Sequence, residues 1–555
     1  MISKIRTRIF NLSAGRPTFF EPTLKFALGR CGFANQCRRP AWEFDILETT
    51  AEHLQLWYIN LQENMLTVDF FKFLIIGIYL IAAAGLVTYG LNCYVMIFLF
   101  SKHQKTAATR RDEVRRQNSS TENLPLVTTQ VPIFNEYNVA ERVMRAVCAM
   151  TYPPGRHEIQ ILDDSNDETS ELVDQTAVQL KLQGHDITVI RRQVREGFKA
   201  GALAEGLKKA KGEFIAIFDA DFVPPHDFLM QSISFFRDTQ IGLVQARWGH
   251  LNPKKSMLTR AQSIGIDGHF MVEQAARNWS GLFMNFNGTA GIWRKQAIID
   301  GGGWQWDTLT EDMDLSYRVQ FAGWKTIFLP DVIIPAEIPD NICAFKNQQY
   351  RWAKGSIQTA VKLLPTIFRA PISRVKKLQA FFHLTHYMVH PLMILLAVLA
   401  LPFHYSLDKN LGIANYYGVL GLILVAMAAP NLLYLLSQKL TYENWGKRIL
   451  YLPFLVIFGT GIAVSNAKAV IEALIGHKSE FVRTPKKGDR SQIQYRVRSN
   501  WTAIFEIGLG SYCATALVFC LLSQNHFIIP FLLIFSLGFL YVGFLTLLQV
   551  SGLIR

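Results

Sequence analysis

Carboxylates recur along this chain at spacings that suit the handling of a diphosphate. The stretch LDDSND places Asp163 and Asp164 at the end of one apolar run, and FDADF places Asp219 and Asp221 at the end of another. Two carboxylates one residue apart at a strand end can hold a hard divalent cation, Mg2+ or Mn2+, together with a diphosphate. A single D-x-D is more often a solvated turn; the second acidic strand end tips the reading toward metal. In TLTEDMDLSYR, Thr310 occupies an N-cap position, with Glu311 and Asp312 in the first helical turn. The helix dipole alone would favour carboxylates there. The chemical alternative is a base at a helix tip, taking the proton of an attacking hydroxyl. In NQQYRWAKGS, Gln348, Arg351 and Trp352 share one face if the segment is helical. That face offers an amide, a fixed positive charge and a flat apolar plate, although a snorkelling arginine at an amphipathic edge would look the same. Taken together, these groups suit transfer of a sugar from a nucleotide diphosphate. Metal on Asp219 and Asp221, with Lys199 of FKAGALAEG and Arg351, would receive the leaving charge. Trp352 would stack on the acceptor sugar.

The elements that must position these groups follow from texture. Over 124–345, short β-rich runs (LVTTQVPIFNE, IQILDDSND, DITVIRR, EFIAIFDADF, IGLVQARW) alternate with helix-like stretches such as AERVMRAVCAM and KAGALAEGLKKAKG. That alternation predicts an α/β domain with a mostly parallel sheet, which binds ligands at the carboxyl ends of its strands. Around it the chain is apolar. Residues 73–100 carry no charge and are long enough to span a bilayer with tilt. Further apolar runs occupy 383–404, 414–437, 448–475, 501–522 and 525–548. The third contains Asn466, Lys468 and Glu472, costly at a bilayer centre, and reads as interfacial or re-entrant. The expected organisation is therefore an N-terminal segment 1–70 of unknown role, a span at 71–101, a basic linker at 102–123, the α/β domain at 124–345, interfacial helices at 346–382 and a membrane channel region at 383–555.

Half of the 555 residues are hydrophobic, only 18% are charged, and the formal net charge is +14. The basic residues cluster beside apolar runs, so the expected partner for that charge is an anionic bilayer surface and not nucleic acid. Lys and Arg after residue 101 and in 477–500 place the α/β domain in the cytosol. The seven cysteines form no CxxC pair, which argues against a zinc or redox site. The basic N-terminus lacks the compact apolar core of a cleaved signal peptide.

The ordered set Asp163-Asp164, Asp219-Ala220-Asp221, Thr310-Glu311-Asp312 and Gln348-Gln349-Tyr350-Arg351-Trp352, followed by apolar runs, resembles the processive, membrane-embedded family 2 glycosyltransferases. These include cellulose synthases, hyaluronan synthases and the plant cellulose-synthase-like mannan and glucan synthases. VPIFNE, VQARW, HFMVEQ, FNGTAGIWR and TEDMDLSYR look like the last branch. The resemblance implies a GT-A type domain with Asp312 as base and Asp219 and Asp221 on diphosphate and metal. It implies Glu136, Asp163, Asp164, Lys199, Gln348 and Arg351 on the nucleotide sugar. Trp352, Thr310, Glu311 and the run Phe286, Asn287, Gly288 and Thr289 would face the acceptor. EFVRTPKKG is similar to a gating loop near 478–490, which implies that Phe481, Arg483, Thr484 and Lys486 cover the donor.

The implied activity is inverting, processive transfer of hexosyl units, from UDP-glucose or GDP-mannose, to a β-linked polysaccharide that crosses the membrane in the same chain. Tyr387, His390, Tyr417 and Asn431 are candidate channel-lining residues. The enzyme would sit in the plasma (inner) membrane, or the Golgi membrane in a eukaryote, with homo-oligomers or accessory export proteins admitted as partners. No carboxyl-terminal cyclic-dinucleotide-binding domain is expected after the last apolar run. The rival readings are a non-processive enzyme acting on a lipid and a scaffold without catalysis.

Overall fold

The computed structural model describes residues 41–117, 123–406, 413–477, 488, 501–523 and 528–553, with side chains from 70 onward and, in the helix beginning at 413, from 421. The proposed gating residues Phe481, Arg483, Thr484 and Lys486, and the side chain of Tyr417, lie outside the described residues.

Seven strands form one sheet in the order β3-β2-β1-β4-β6-β5-β7. They are β1 (Val127–Ile133), β2 (His157–Asp163), β3 (Asp186–Ile190), β4 (Phe214–Ile217), β5 (Ile241–His250), β6 (Gly291–Arg294) and β7 (Lys325–Ala336). Strands β1 to β4 are mutually parallel, with Val127 opposite both His157 and Phe214. β6 runs antiparallel to β4 and β5, and β7 pairs parallel with β5. The sheet is covered on both faces, so β4 near its centre is apolar throughout instead of alternating. In β4, Phe214 and Ala216 enter one core with Val131, Val143 and Phe228. Ile215 and Ile217 enter the other with Leu203, Trp293 and Phe328. The period-two pleat thus feeds two cores from four residues.

Helices used below are α1 (Ala41–Gln117), α2 (Phe198–Lys209), α3 (Glu311–Phe321), α4 (Ile342–Arg369), α5 (Arg374–Thr385), α6 (Val389–Ser406), α7 (Ile413–Thr441), α8 (Leu452–Gly461), α9 (Ala463–Leu474), α10 (Thr502–Leu522) and α11 (Ile529–Val550). Among the described residues, five helices are long and apolar enough to cross a membrane: Phe70–Gln117 within α1, the α5–α6 stretch Arg374–Ser406, Gly421–Thr441 within α7, α10 and α11. Their surfaces show large apolar side chains, including Phe73, Ile81 and Leu522, each more than 70% exposed, the kind of surface a bilayer would cover. The run over 448–475 is broken: Trp445–Gly461 and Ala463–Leu474 meet at 45°. Its charged second half, α9, packs on α4, where Glu472 accepts from Lys354 at 2.8 Å.

Candidate active site

The carboxyl ends of β1, β2 and β4 open into a cleft of about 180 Å³ lined by Glu136, Asp164, Lys199, Asp219, Asp221, Asn287, Gly288, Thr310, Glu311, Asp312, Gln348, Arg351 and Trp352. Residues from seven separate sequence segments therefore meet at one place. In the turn just past β4, Asp219 and Asp221 both reach the cleft while Ala220 is buried behind them. At the end of β2, where side chains two apart share a face, Leu162 and Asp164 line the cleft and Asp163 is turned away.

Asp163 is thus a correction to the sequence reading. Its carboxylate is fully buried, accepts the Ser165 N–H at 3.0 Å and pairs with Arg191 at 2.8 Å. Asp164 is held by Arg192, whose Nε donates to Oδ1 at 3.0 Å and whose Nη2 donates to Oδ2. Arg192 also donates to the carbonyls of Glu196 and Phe198, tying the end of β2 to the start of α2.

From α2, Lys199 donates to Asp219 Oδ1 and, at 2.8 Å, to the Gly288 carbonyl. Burial works against the Lys199 ammonium; Asp219, then Glu311 and Asp312, more than offset it and hold its pKa above the ordinary lysine value. The segment before β6 splits by role. Asn287 and Gly288 line the cleft. Phe286 and Thr289 do not, and both correct the expectation of acceptor contact. Phe286 is buried edge-on against Trp293 at 5.4 Å. Thr289 accepts the Asp219 N–H at 2.9 Å and so fixes the strand end that carries Asp219. Gly288 has φ +79°, and a Cβ there would stand 2.9 Å from Asp312 Oδ2 and 3.3 Å from Lys199 Nζ. Only glycine lets the backbone pass this close to the carboxylate.

Asp312 lies in the first turn of α3, its Oδ1 accepting the Met313 N–H at 2.8 Å. Burial first, then the neighbouring Glu311 carboxylate, pushes the Asp312 pKa up to about 7. Desolvation and like charge here outweigh the helix-terminus effect expected from sequence. Burial also raises Glu311. Thr310 stands at the N-cap, yet its side chain makes no capping bond; its hydroxyl meets Thr359 of α4 at 3.1 Å. The α4 helix is docked there closely: a Cβ on Gly355 would lie 2.5 Å from Thr310 Cγ2 and 2.8 Å from Thr310 N. That docking presents Gln348, Arg351 and Trp352 to the cleft. Burial lowers the Arg351 guanidinium, and the Glu311, Asp219, Asp312 and Asp221 carboxylates oppose the shift.

Sequence reasoning missed Arg195 and Trp248. Arg195 lies over the Phe134 ring at 3.3 Å at the cleft wall, and a signal existed in the arginines clustered just after β3. Trp248 packs 6.4 Å from Trp352. The two tryptophans, with Asn287, Thr310, Asp312 and Gln348, also line a second cavity of about 390 Å³. It continues the cleft toward His383, His386, Tyr387 and His390, where α5 passes into α6 midway along the Arg374–Ser406 stretch. Of the candidate lining residues, Tyr387 and His390 are there; Asn431 instead donates to the Met427 carbonyl of its own helix.

Among the described residues no group of three or more His, Cys, Asp or Glu forms a ready cation site. The donor set still fits the expected metal: two carboxylates two residues apart, with Asp219 33% exposed toward the cleft. Mg2+ and Mn2+ are commonly bound by one or two carboxylates plus substrate phosphates and waters.

An open α/β sheet of GT-A type, bearing acidic strand ends, a helix-tip carboxylate and converging cations, defines a glycosyltransferase acting on a nucleotide sugar. The chain belongs to glycosyltransferase family 2: residues 125–355 match the family described as glycosyltransferase like family 2. It is 33% identical over 462 residues to glucomannan 4-beta-mannosyltransferase 1 of Cyamopsis tetragonoloba, covering 78% of this chain and 84% of that protein. It is 32% identical over 440 residues to glucomannan 4-beta-mannosyltransferase 7 of Arabidopsis thaliana, covering 76% of each. Among solved structures, it aligns with the mannosyltransferase PcManGT from Pyrobaculum calidifontis in complex with GDP-Man and Mn2+, at TM-score 0.42 and 18% identity, over 69% of this chain and 98% of that one.

Proposed function

We propose that this enzyme transfers mannosyl units from GDP-mannose to a growing 4-β-linked mannan or glucomannan and passes the polymer into the membrane region of the same chain. The observation that carries the reading is the continuity of the two cavities. Trp248, Asn287, Thr310, Asp312, Gln348 and Trp352 line both, so the base stands where a donor in the first meets an acceptor in the second. The names of the plant relatives supply the sugar and the linkage.

In this reading Lys199, Arg195 and Arg351 surround the diphosphate. Asp219 and Asp221 would hold Mg2+ or Mn2+ against it, which would stabilise the departing charge. Asp312 takes the proton from the acceptor hydroxyl as that oxygen attacks the anomeric carbon. A pKa near 7 suits a group that must be unprotonated before the step and protonated after it. One displacement inverts the configuration, converting an α-linked donor into a β-linked product; a retaining double displacement would need a carboxylate nucleophile as well. Trp352 and Trp248 give the acceptor end an aromatic platform, and Tyr387 and His390 continue a polar lining that glycan requires inside a bilayer.

The test is reconstitution into sealed vesicles with GDP-mannose or UDP-glucose supplied outside. Mannose polymer that resists added mannanase until detergent is present is the expected result. Incorporation of glucose alone would move the donor assignment. A single sugar on a lipid would favour the non-processive reading.

A further inference from the structure

The motif HFMVEQ, which the transfer step leaves without a role, forms a π-helical turn at His269–Gln274. It joins the α-helical segments Met257–Gly268 and Ala275–Trp279. Single π turns inside α-helices occur frequently at functional sites. His269 and Glu273 on this turn both line the second cavity, and each side chain is 30% exposed. A directional chain of hydrogen bonds joins them to Asn287. Gln274 donates to Asn287 Oδ1 at 3.1 Å, so the Asn287 amide turns its N–H toward His269 Nε2 at 3.2 Å. That nitrogen accepts, and Nδ1 carries the proton it gives to Glu273 Oε2 at 3.2 Å. Arg277, 1% exposed, donates from Nε and Nη2 to Glu273 Oε1 at 3.3 and 3.2 Å. Burial works against the Glu273 carboxylate; the His269 hydrogen bond, then the Arg277 charge, outweigh it and hold its pKa well below the ordinary value.

An ionised carboxylate has about four acceptor positions. Among the described residues, Arg277 and His269 use those of Glu273 only in part, with one hydrogen bond on Oε2. Asn285 lines the same cavity and is 5% exposed, and its Oδ1 has no hydrogen-bond partner among the described residues. Buried acceptors of this kind need a donor. Arg277 balances the carboxylate's charge, so a further cation is not what the pair attracts. Two acceptors with capacity to spare, in a cavity also lined by the Trp248 and Trp352 rings, suit a neutral polyol. Its O–H groups meet the acceptors and its C–H faces meet the rings. We propose that Glu273 and Asn285 form a subsite that accepts hydrogen bonds from the hydroxyls of one sugar unit of the acceptor glycan. The subsite rests on the reading of the second cavity as the acceptor's path. Asn287 ties it to the chemistry: it lines both cavities and precedes Gly288, whose backbone passes against Asp312.

The test follows extension of short β-mannan or β-glucan oligomers by the full chain in detergent, with GDP-mannose affinity titrated separately. In Glu273→Gln and in Asn285→Ala the acceptor KM should rise about tenfold, while GDP-mannose affinity stays within about twofold. Glu273→Gln leaves Arg277 buried without its counter-charge, so Glu273→Gln with Arg277→Met is made beside it and should show the same rise. Oligomers lacking single hydroxyls supply a readout that a purely structural role would not move. One of them should lose about tenfold with the native chain and nothing further with Glu273→Gln, since both changes remove the same bond. Equal discrimination against every such oligomer by the native and Glu273→Gln chains overturns the subsite alone. So does donor affinity that falls in step with acceptor affinity in the double variant. A native chain that extends neither kind of oligomer overturns the acceptor reading of the cavity, and the subsite with it.

Discussion

At the level of single residues, the base is the point on which the chemistry turns. Replacing Asp312 with Asn keeps shape and removes basicity. We expect Asp312→Asn to lower turnover by about 10²–10⁴-fold while donor binding, measured by titration with GDP-mannose, changes little. A parallel loss of donor affinity would instead assign Asp312 to the diphosphate. The raised pKa gives a second reading. An active base must be unprotonated, so kcat/KM should climb as pH rises through about 7 and level off above it. Glu311 is the second cause of that elevation, after burial. Glu311→Gln removes the like charge, so the climb should shift to lower pH without returning to the usual carboxylate range. A climb that does not move would mean that Glu311 carries no charge beside Asp312. The acidic motifs were legible because each sits at the end of an apolar run. The choice between Asp163 and Asp164 was legible in principle too, since pleating gives the cleft only one of two adjacent side chains. Thr289 was not: that it holds the Asp219 backbone depends on β6 entering antiparallel beside β4, a pairing no local pattern announces.

Elements bring these residues together through two close approaches that only glycine permits. The QQYRW face, with its amide, guanidinium and indole, is positioned by a residue three places further on. Gly355 lets α4 settle on the backbone of Thr310, and this sets where Arg351 and Trp352 stand relative to Asp312. In Gly355→Ala the added methyl meets Thr310 N, a backbone atom that cannot swing aside. Overpacking of this kind costs about 1–3 kcal/mol. Turnover should fall and the acceptor KM rise, measured with short mannan oligomers, with a smaller loss of GDP-mannose affinity through the displaced Arg351. Unchanged kinetics would show that α4 does not fix the acceptor site. The strand and helix alternation of the α/β domain was readable from composition, because strands buried on both faces are apolar runs. That 448–475 is no ordinary apolar span was readable from Asn466, Lys468 and Glu472; the 45° break at Ile462 was not. What the sequence could not say is that Glu472 answers Lys354, 118 residues away: charges in an apolar run announce a need for partners, not their identity.

At the scale of the whole molecule, the same α4 helix fastens the catalytic domain to the membrane helices. Lys346 is fully buried and donates to Glu506 Oε2 at 2.9 Å and to Thr502 at 3.1 Å, both on α10. Lys354, one face further along, holds Glu472 on α9. Two buried ammonium groups eight residues apart thus bind one helix to the two that flank 478–500 in sequence. The net worth of such a pair is small against well-packed apolar residues, but breaking it from one side leaves an uncompensated buried charge. Lys346→Met should therefore destabilise the protein by about 3–5 kcal/mol, and Glu506→Leu by a similar amount. The double variant Lys346→Met with Glu506→Leu should recover most of the loss, since both charges go together. Heating the three variants in detergent and following the soluble folded fraction separates these outcomes. If the pair does more than satisfy two charges, the double variant will be stable and still make shorter polymer, because α4 would hold Trp352 less firmly against a chain end moving into the second cavity. A stable double variant with native polymer length would confine the pair to folding.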